Sequence, residues 1–576
     1  MFAAACSGCH SGDDPRAPSP EVLRLRSPQA ILDALTAGSM KYQGLALSGE
    51  ERRAIAEYLT GRTLRAPLAG NTIGNCSPST RRGPPAEPRA GPLWNGWGPT
   101  VENTHFQPAE QAVLTAEQVP RLHLKWAFGF PDATSAWAQP AIVGGRAYVG
   151  SQNGTVYALD AASGCVVWTF TAQGGVRASI SIGRRSGRQP GYAAYFSDQK
   201  GFVYAVDAAT GRQLWTRKVE DHPLVRLTGS PTLYDDRLYV PTSSYEEGGK
   251  PPGYACCTFR GSIVALDAKT GEIIWKTYTI AEEPRLLRQY ADGTELRGPA
   301  GGAIWSAPTI DVKRGALYVG VGNTYSGTAQ PTTDAVLALD LKSGKIRWTR
   351  QMPPSTPDVF GCTPGDVNCG ERAGPDFDFG ASPVLATLVG GRQLIVAGQK
   401  SGVVFALDPD RKGEQVWRYR AGGGSGLGGI QWGIAADAER VYVPVAEIYN
   451  PMPGGLHAVE LATGARAWYA APETPVCGKP SRACSGAQFS AITVIPGVVF
   501  SPSNDGAVRA YSTRDGQVIW TSDTNKEFST INGLRARGGS MNGPAPVVAG
   551  GMVYVSSGYG VFGLRPGNVL LAFGLD

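Results

Sequence analysis

Two pairs of cysteines have a spacing suited to chemistry more than to packing. Cys6-Ser7-Gly8-Cys9-His10 has the C-x-x-C-H pattern, in which two thiols add to the vinyl groups of a haem and the adjacent imidazole binds its iron. The same spacing also serves zinc and redox elements, so the residues that follow decide. They are a helical stretch from Pro28 to Thr36, then Gly38-Ser39-Met40, then Leu47-Ser48-Gly49-Glu50-Glu51, a capped helix start running to Tyr58-Leu59. Cys256 and Cys257 are adjacent in the chain. Adjacent thiols either close on each other as a rigid, flat ring or remain free or bridge elsewhere.

The elements that must position these groups are written in a repeat. Asp160/Gly164/Trp168 returns as Asp207/Gly211/Trp215, Asp267/Gly271/Trp275, Asp340/Gly344/Trp348 and Asp408/Gly413/Trp417. Looser copies follow at Glu460/Gly464/Trp468 and Ser512/Gly516/Trp520, and Asn568 to Phe573 begins one more. Each copy reads as a strand, a turn needing glycine at positive φ, and a strand carrying tryptophan. Such units cannot bury both faces alone and pack radially against their neighbours. Seven copies and a terminal strand predict an eight-bladed β-propeller. The early strand Leu122 to Ala127 is expected to complete the last blade and remove the free edges.

The fold class is therefore all-β, with a small all-α domain at the N-terminus. The expected division is residues 1–63 for the haem domain, 64–93 for a linker rich in Pro, Gly, Arg and Ser, and 94–576 for the propeller. The 576 residues carry a net charge of only +6, with no basic tract, which argues against a nucleic-acid partner. No apolar run is long enough to predict a transmembrane segment. The chain reaches its haem motif by Cys6 without a signal peptide, as expected of a mature or trimmed chain.

The order of the first sixty residues resembles a small class I cytochrome c, with His10 as proximal and Met40 as distal iron ligand. From Trp94 onward the chain resembles the pyrroloquinoline-quinone (PQQ) quinohaemoprotein alcohol dehydrogenases. The resemblance rests on Trp94-Asn95-Gly96-Trp97-Gly98, Gly301-Gly302-Ala303-Ile304-Trp305, Leu317 to Asn323, and Gln399-Lys400-Ser401-Gly402. It implies that Trp305 covers one face of PQQ and that a Cys256–Cys257 disulfide covers the other. Lys400 would reach the quinone oxygens, and Arg177 would pair with a quinone carboxylate. Thr228 and Ser230 would hydrogen-bond the cofactor, and Trp432 would line the mouth of the site. Glu246 and Asn323 would bind Ca2+, with Glu247 an open alternative to Glu246. Asp334 is expected as the catalytic base and a further calcium ligand, although it stands closer to the next strand than the family pattern puts its aspartate. Asp376 and Asp378 remain alternatives to it.

With the haem motif ahead of the propeller, the resemblance is strongest to the branch acting on polyvinyl alcohol. It implies hydride transfer from a secondary alcohol, of that polymer or a similar polyol, to PQQ. Electrons would then pass through haem c to an external cytochrome c. The same chemistry on a small or cyclic alcohol, and a non-catalytic propeller scaffold, are the alternatives. Covalent haem attachment implies the periplasm. The remaining six cysteines are expected to pair as Cys76–Cys165, Cys362–Cys369 and Cys477–Cys484, a connectivity that sequence does not fix.

Overall fold

The computed structural model describes residues 2, 6–11, 17–36, 39–40, 43, 49–64, 74–82, 93–185, 191–249, 254–352, 375–448 and 454–576. Eight antiparallel sheets, seven of four strands and one, blade 3, with a fifth short strand, follow one another in the order the repeat predicts. Blade 1, for example, comprises Ala141–Val143, Arg146–Gly150, Thr155–Asp160 and Val166–Thr171. Blade 8 is closed as expected: His123–Gly129 pairs antiparallel with Val569–Gly574, so the first propeller strand and the last share one sheet.

The repeated glycine and tryptophan form one contact between blades. Gly211 in the turn of blade 2 has φ 74°, and a Cβ there would stand 2.7 Å from the Trp168 ring of blade 1. The Trp168 indole donates to the Ala208 carbonyl at 3.0 Å, across the same boundary. Trp126, Trp215, Trp417, Trp468 and Trp520 likewise each donate to a carbonyl of the next blade. Glycine is thus required twice over, by its backbone and by the ring that lies on it.

Residues 94–107 run along the inner strands and tie blades together. Trp94 exchanges backbone hydrogen bonds with Ile142, and Ile310 and Leu385 donate to the carbonyls of Val101 and Glu102. Ala436 donates to Thr104, Val494 to His105, and the Gln107 side chain donates to Val548. Asn95 also exchanges hydrogen bonds with Ile182 of blade 2, so one short segment contacts the inner strands of six blades beyond the first.

The N-terminal domain is helical, with Ser7–His10, Pro20–Arg24, Pro28–Thr36 and Gly49–Thr60. Its core is Ile31, Leu35, Ile55, Ala56 and Leu59. The expected linker is not wholly free of the propeller. Cys76 is disulfide-bonded to Cys165, and residues 74–76 bridge to Val166 of the outer strand of blade 1. Cys477–Cys484 is formed, whereas Cys362 and Cys369 lie outside the described residues.

Candidate active site

The functional side chains come from loops on one face: those joining the second and third strands of a blade, and those leading from one blade to the next. Lys400, between strands of blade 5, is the hub. Its Nζ lies 2.8 Å from Asp378 and 3.0 Å from Asp376, and all three are buried. Burial alone would lower the lysine pKa, but the two carboxylates outweigh it and hold Lys400 above its ordinary value. Asp378 is occupied on both oxygens. Oδ2 also accepts from the Trp305 indole at 3.1 Å, and Oδ1 accepts from Asn323 N at 2.7 Å. Gly380 lies under the Trp305 ring, where any Cβ would overlap it.

Asp334, expected as the base, is buried at positive φ. Its backbone N–H donates to Gly322. Lys400 forms ion pairs with Asp376 and Asp378, the two aspartates the sequence left as alternatives.

The two neighbouring glutamates divide their tasks. Glu246, expected as a calcium ligand, is fully buried and accepts from Thr258 N and Phe259 N, both at 2.7 Å, and from Tyr254 at 3.0 Å. His222 approaches it at 3.2 Å. Burial would raise its pKa, but the hydrogen bond and charge of His222 and the two amides bring it below the usual carboxylate value. Glu247 instead meets Asn323, whose side-chain amide donates to it. That pair offers a carboxylate and an amide oxygen, the donor type hard cations take, once the amide is turned over. Among the described residues no cluster of three or more Asp, Glu, His or Cys side chains is arranged around a metal position. Glu247 and Asn323 are thus a partial donor set that a ligand's own oxygens would have to complete.

Cys256 and Cys257 are joined, but both are completely buried. They pack with Phe259, Ala300, Ala303 and Tyr325, and Trp305 rests against the same cluster. The disulfide, expected on one face of a flat cofactor, and Trp305, expected on the other, thus meet in one buried cluster. The disulfide's neighbours Thr258 and Phe259 are the residues whose amides Glu246 holds.

The Arg177 guanidinium stands 4.2 Å over Trp432, the ring beside Trp305, and 5.4 Å from both Trp137 and Tyr559. Nη1 donates to the Tyr559 hydroxyl at 3.2 Å, while Nη2 is buried without a hydrogen-bond partner. A buried guanidinium nitrogen left in this way suits a carboxylate ligand. Trp432 packs edge-on to Trp305 with 4.9 Å between ring centres and donates to Asn542. Thr228 accepts from Ser243 at 3.2 Å, and Ser230 accepts from Ser179 N at 2.8 Å. Tyr559, Asn542 and Gly380 were not foreseen. Gly558-Tyr559-Gly560, an aromatic residue outside the strand pattern, was the available signal.

In the N-terminal domain Cys6 and Cys9 are free thiols. His10 is buried, with Nδ1 2.7 Å from the Pro18 carbonyl. A backbone acceptor on Nδ1 leaves Nε2 as the ligating nitrogen, the arrangement metal-bound imidazoles use. Met40 packs against the helical core. These residues fit a c-type haem.

Known proteins resemble this chain in sequence and in fold. Residues 94–355 match the glucose/ethanol/alcohol dehydrogenase β-propeller family of PQQ enzymes, and residues 399–570 match the repeat family of the outer membrane protein assembly factor BamB. The quinohaemoprotein alcohol dehydrogenase of Comamonas testosteroni shares the fold with a TM-score of 0.60 at 18% identity, over 88% of this chain and 83% of that one. A europium-containing methanol dehydrogenase does so with a TM-score of 0.61 at 19% identity, over 84% of this chain and 98% of that one. Fold and site together define a quinoprotein dehydrogenase propeller. Over its whole length the chain is 42% identical to a polyvinylalcohol dehydrogenase of Pseudomonas sp, covering 93% of it, and 39% identical to one of Sphingopyxis sp. (strain 113P3), covering 92%. The chain belongs to the polyvinyl alcohol dehydrogenase family of PQQ-dependent alcohol dehydrogenases.

Proposed function

We propose that this enzyme oxidises secondary alcohol groups of polyvinyl alcohol or a similar polyol in the periplasm, with PQQ, Ca2+ and haem c, and delivers the electrons to an external cytochrome c. The observation that carries the reading is the buried Lys400–Asp376–Asp378 cluster against Trp305, whose neighbour Trp432 carries an arginine with an orphaned nitrogen. Arg177 would take a carboxylate of PQQ, and Trp305 would lie along its ring. Glu247 and Asn323 would hold the cation. Bound PQQ supplies the two-electron acceptor, and the cation polarises the quinone carbonyl as a Lewis acid.

Within the chain, Asp376 takes the proton of the substrate hydroxyl at its carboxylate. Asp378 is a positioning residue, because its oxygens are committed to Lys400, Trp305 and the Asn323 amide. Lys400 keeps its charge and places a buried cation where negative charge develops. Trp305 and Trp432 exclude water from that corner. Cys6, Cys9, His10 and Met40 would hold haem c, a one-electron carrier.

An optical titration tests the reading. Haem-loaded protein given Ca2+ and PQQ should develop the sharp bands of a reduced c-type cytochrome when polyvinyl alcohol is added, and only when PQQ is present. Haem bands that respond to no alcohol would refute it. A response to small alcohols but not to the polymer would overturn the substrate assignment alone.

A further inference from the structure

A second arginine borders the same site and has no role in the account above. Val225 and Leu227 point into the core between blades 2 and 3, whereas Arg226 and Thr228 are only half-buried on the opposite side of the segment. Arg226 therefore shares the side of Thr228. It lies opposite Ser243 in the sheet register. Its guanidinium stands 4.8 Å over the Tyr245 ring, and Nη1 donates to Gln199 Oε1 at 3.2 Å. Both partners are neutral. Among the described residues neither Arg226 nor Arg177 forms an ion pair with a carboxylate.

Gln199 links the two arginine segments. The Gln199 backbone N–H donates to the carbonyl of Gly175, two residues from Arg177. A guanidinium fixed by a neutral amide and an aromatic face keeps its remaining N–H groups for an anion. Burial without an anion also lowers the Arg226 pKa, a cost that an incoming carboxylate would remove.

We propose that Arg226, fixed by Gln199 and Tyr245, is a second carboxylate clasp of the cofactor pocket and binds a carboxylate of PQQ other than the one taken by Arg177. This rests on the reading that PQQ is the cofactor. PQQ carries three carboxylates, so a single arginine leaves charge to be met elsewhere in the pocket.

The test is equilibrium binding of PQQ and of its trimethyl ester to the calcium-loaded full chain, read by quenching of tryptophan fluorescence. Arg226→Gln should weaken PQQ binding by about ten- to a hundredfold, the range of one charged hydrogen-bonded contact. It should leave ester binding unchanged, and Arg226→Lys should recover part of the loss. Unchanged PQQ binding in Arg226→Gln overturns the proposal. So does an equal loss for acid and ester, which would mark a structural residue. Wild-type protein that binds neither ligand would refute the cofactor reading itself, an outcome distinct from both.

Discussion

Replacing Asp376 by Asn separates the proposed base from the charge that holds the site together. Lys400, Asp376 and Asp378 are buried and carry a net charge of −1 when ionised. Asp376→Asn brings that sum to zero and leaves the 2.8 Å Lys400–Asp378 pair in place. Stability should therefore change by no more than about 1 kcal/mol, since a buried charge is removed without orphaning its partner. Turnover should fall by about 10²- to 10⁴-fold, the share a positioned base contributes. Asp378→Asn is a different perturbation. Its new amide would face three donors, from Lys400, Trp305 and Asn323. A loss of about 3–5 kcal/mol is expected there, as for a broken buried pair. The assay is phenazine-linked dye reduction at saturating PQQ and Ca2+, beside urea unfolding of each variant. Full turnover by Asp376→Asn would refute the assignment, and loss of turnover in Asp334→Asn with PQQ binding intact would return the role to Asp334.

Glu247→Gln should raise the Ca2+ concentration needed for PQQ binding at least about tenfold, the effect of losing one carboxylate ligand from a hard-cation site. Glu246→Gln should instead lower the melting temperature with a smaller effect on calcium, and a titration calorimeter distinguishes the two. Gly211→Ala should cost about 2–4 kcal/mol in urea unfolding, because it adds a Cβ 2.7 Å from Trp168 at a φ of 74°. Burial pushes the pKa of His105, held edge-on by Trp94 and Trp97, down to about 4 from 6.5. The unfolded chain then binds more protons between those values, so stability falls as pH drops from 6.5 towards 4, by up to about 3 kcal/mol. His105→Gln should flatten that slope in unfolding measured at pH 7 and 4.5.

What the sequence disclosed and what it withheld differ in physical kind. The blades were legible because each interblade contact is local in the chain and repeated. A turn glycine and a tryptophan four residues later recur, and the structure shows each glycine lying on the tryptophan of the preceding blade. The N-terminal helices were legible from local spacing too, with Cys9 and His10 in one short helix and Cys6 at its N-cap. The charge cluster was not. Asn323, Asp378 and Lys400 come from three separate loops, and spacing along the chain says nothing of which carboxylate reaches the lysine. Asp334 stood near the expected position in sequence, yet Lys400 pairs with residues beyond the segment 353–374. Glu246 and Glu247 show the limit most sharply. Adjacent residues of the same type are equivalent to a motif, but successive positions of a helical turn point different ways. One carboxylate is consumed holding the chain after the disulfide, and its neighbour meets Asn323. Only side-chain direction separates the carboxylate that holds the chain from the one that meets Asn323.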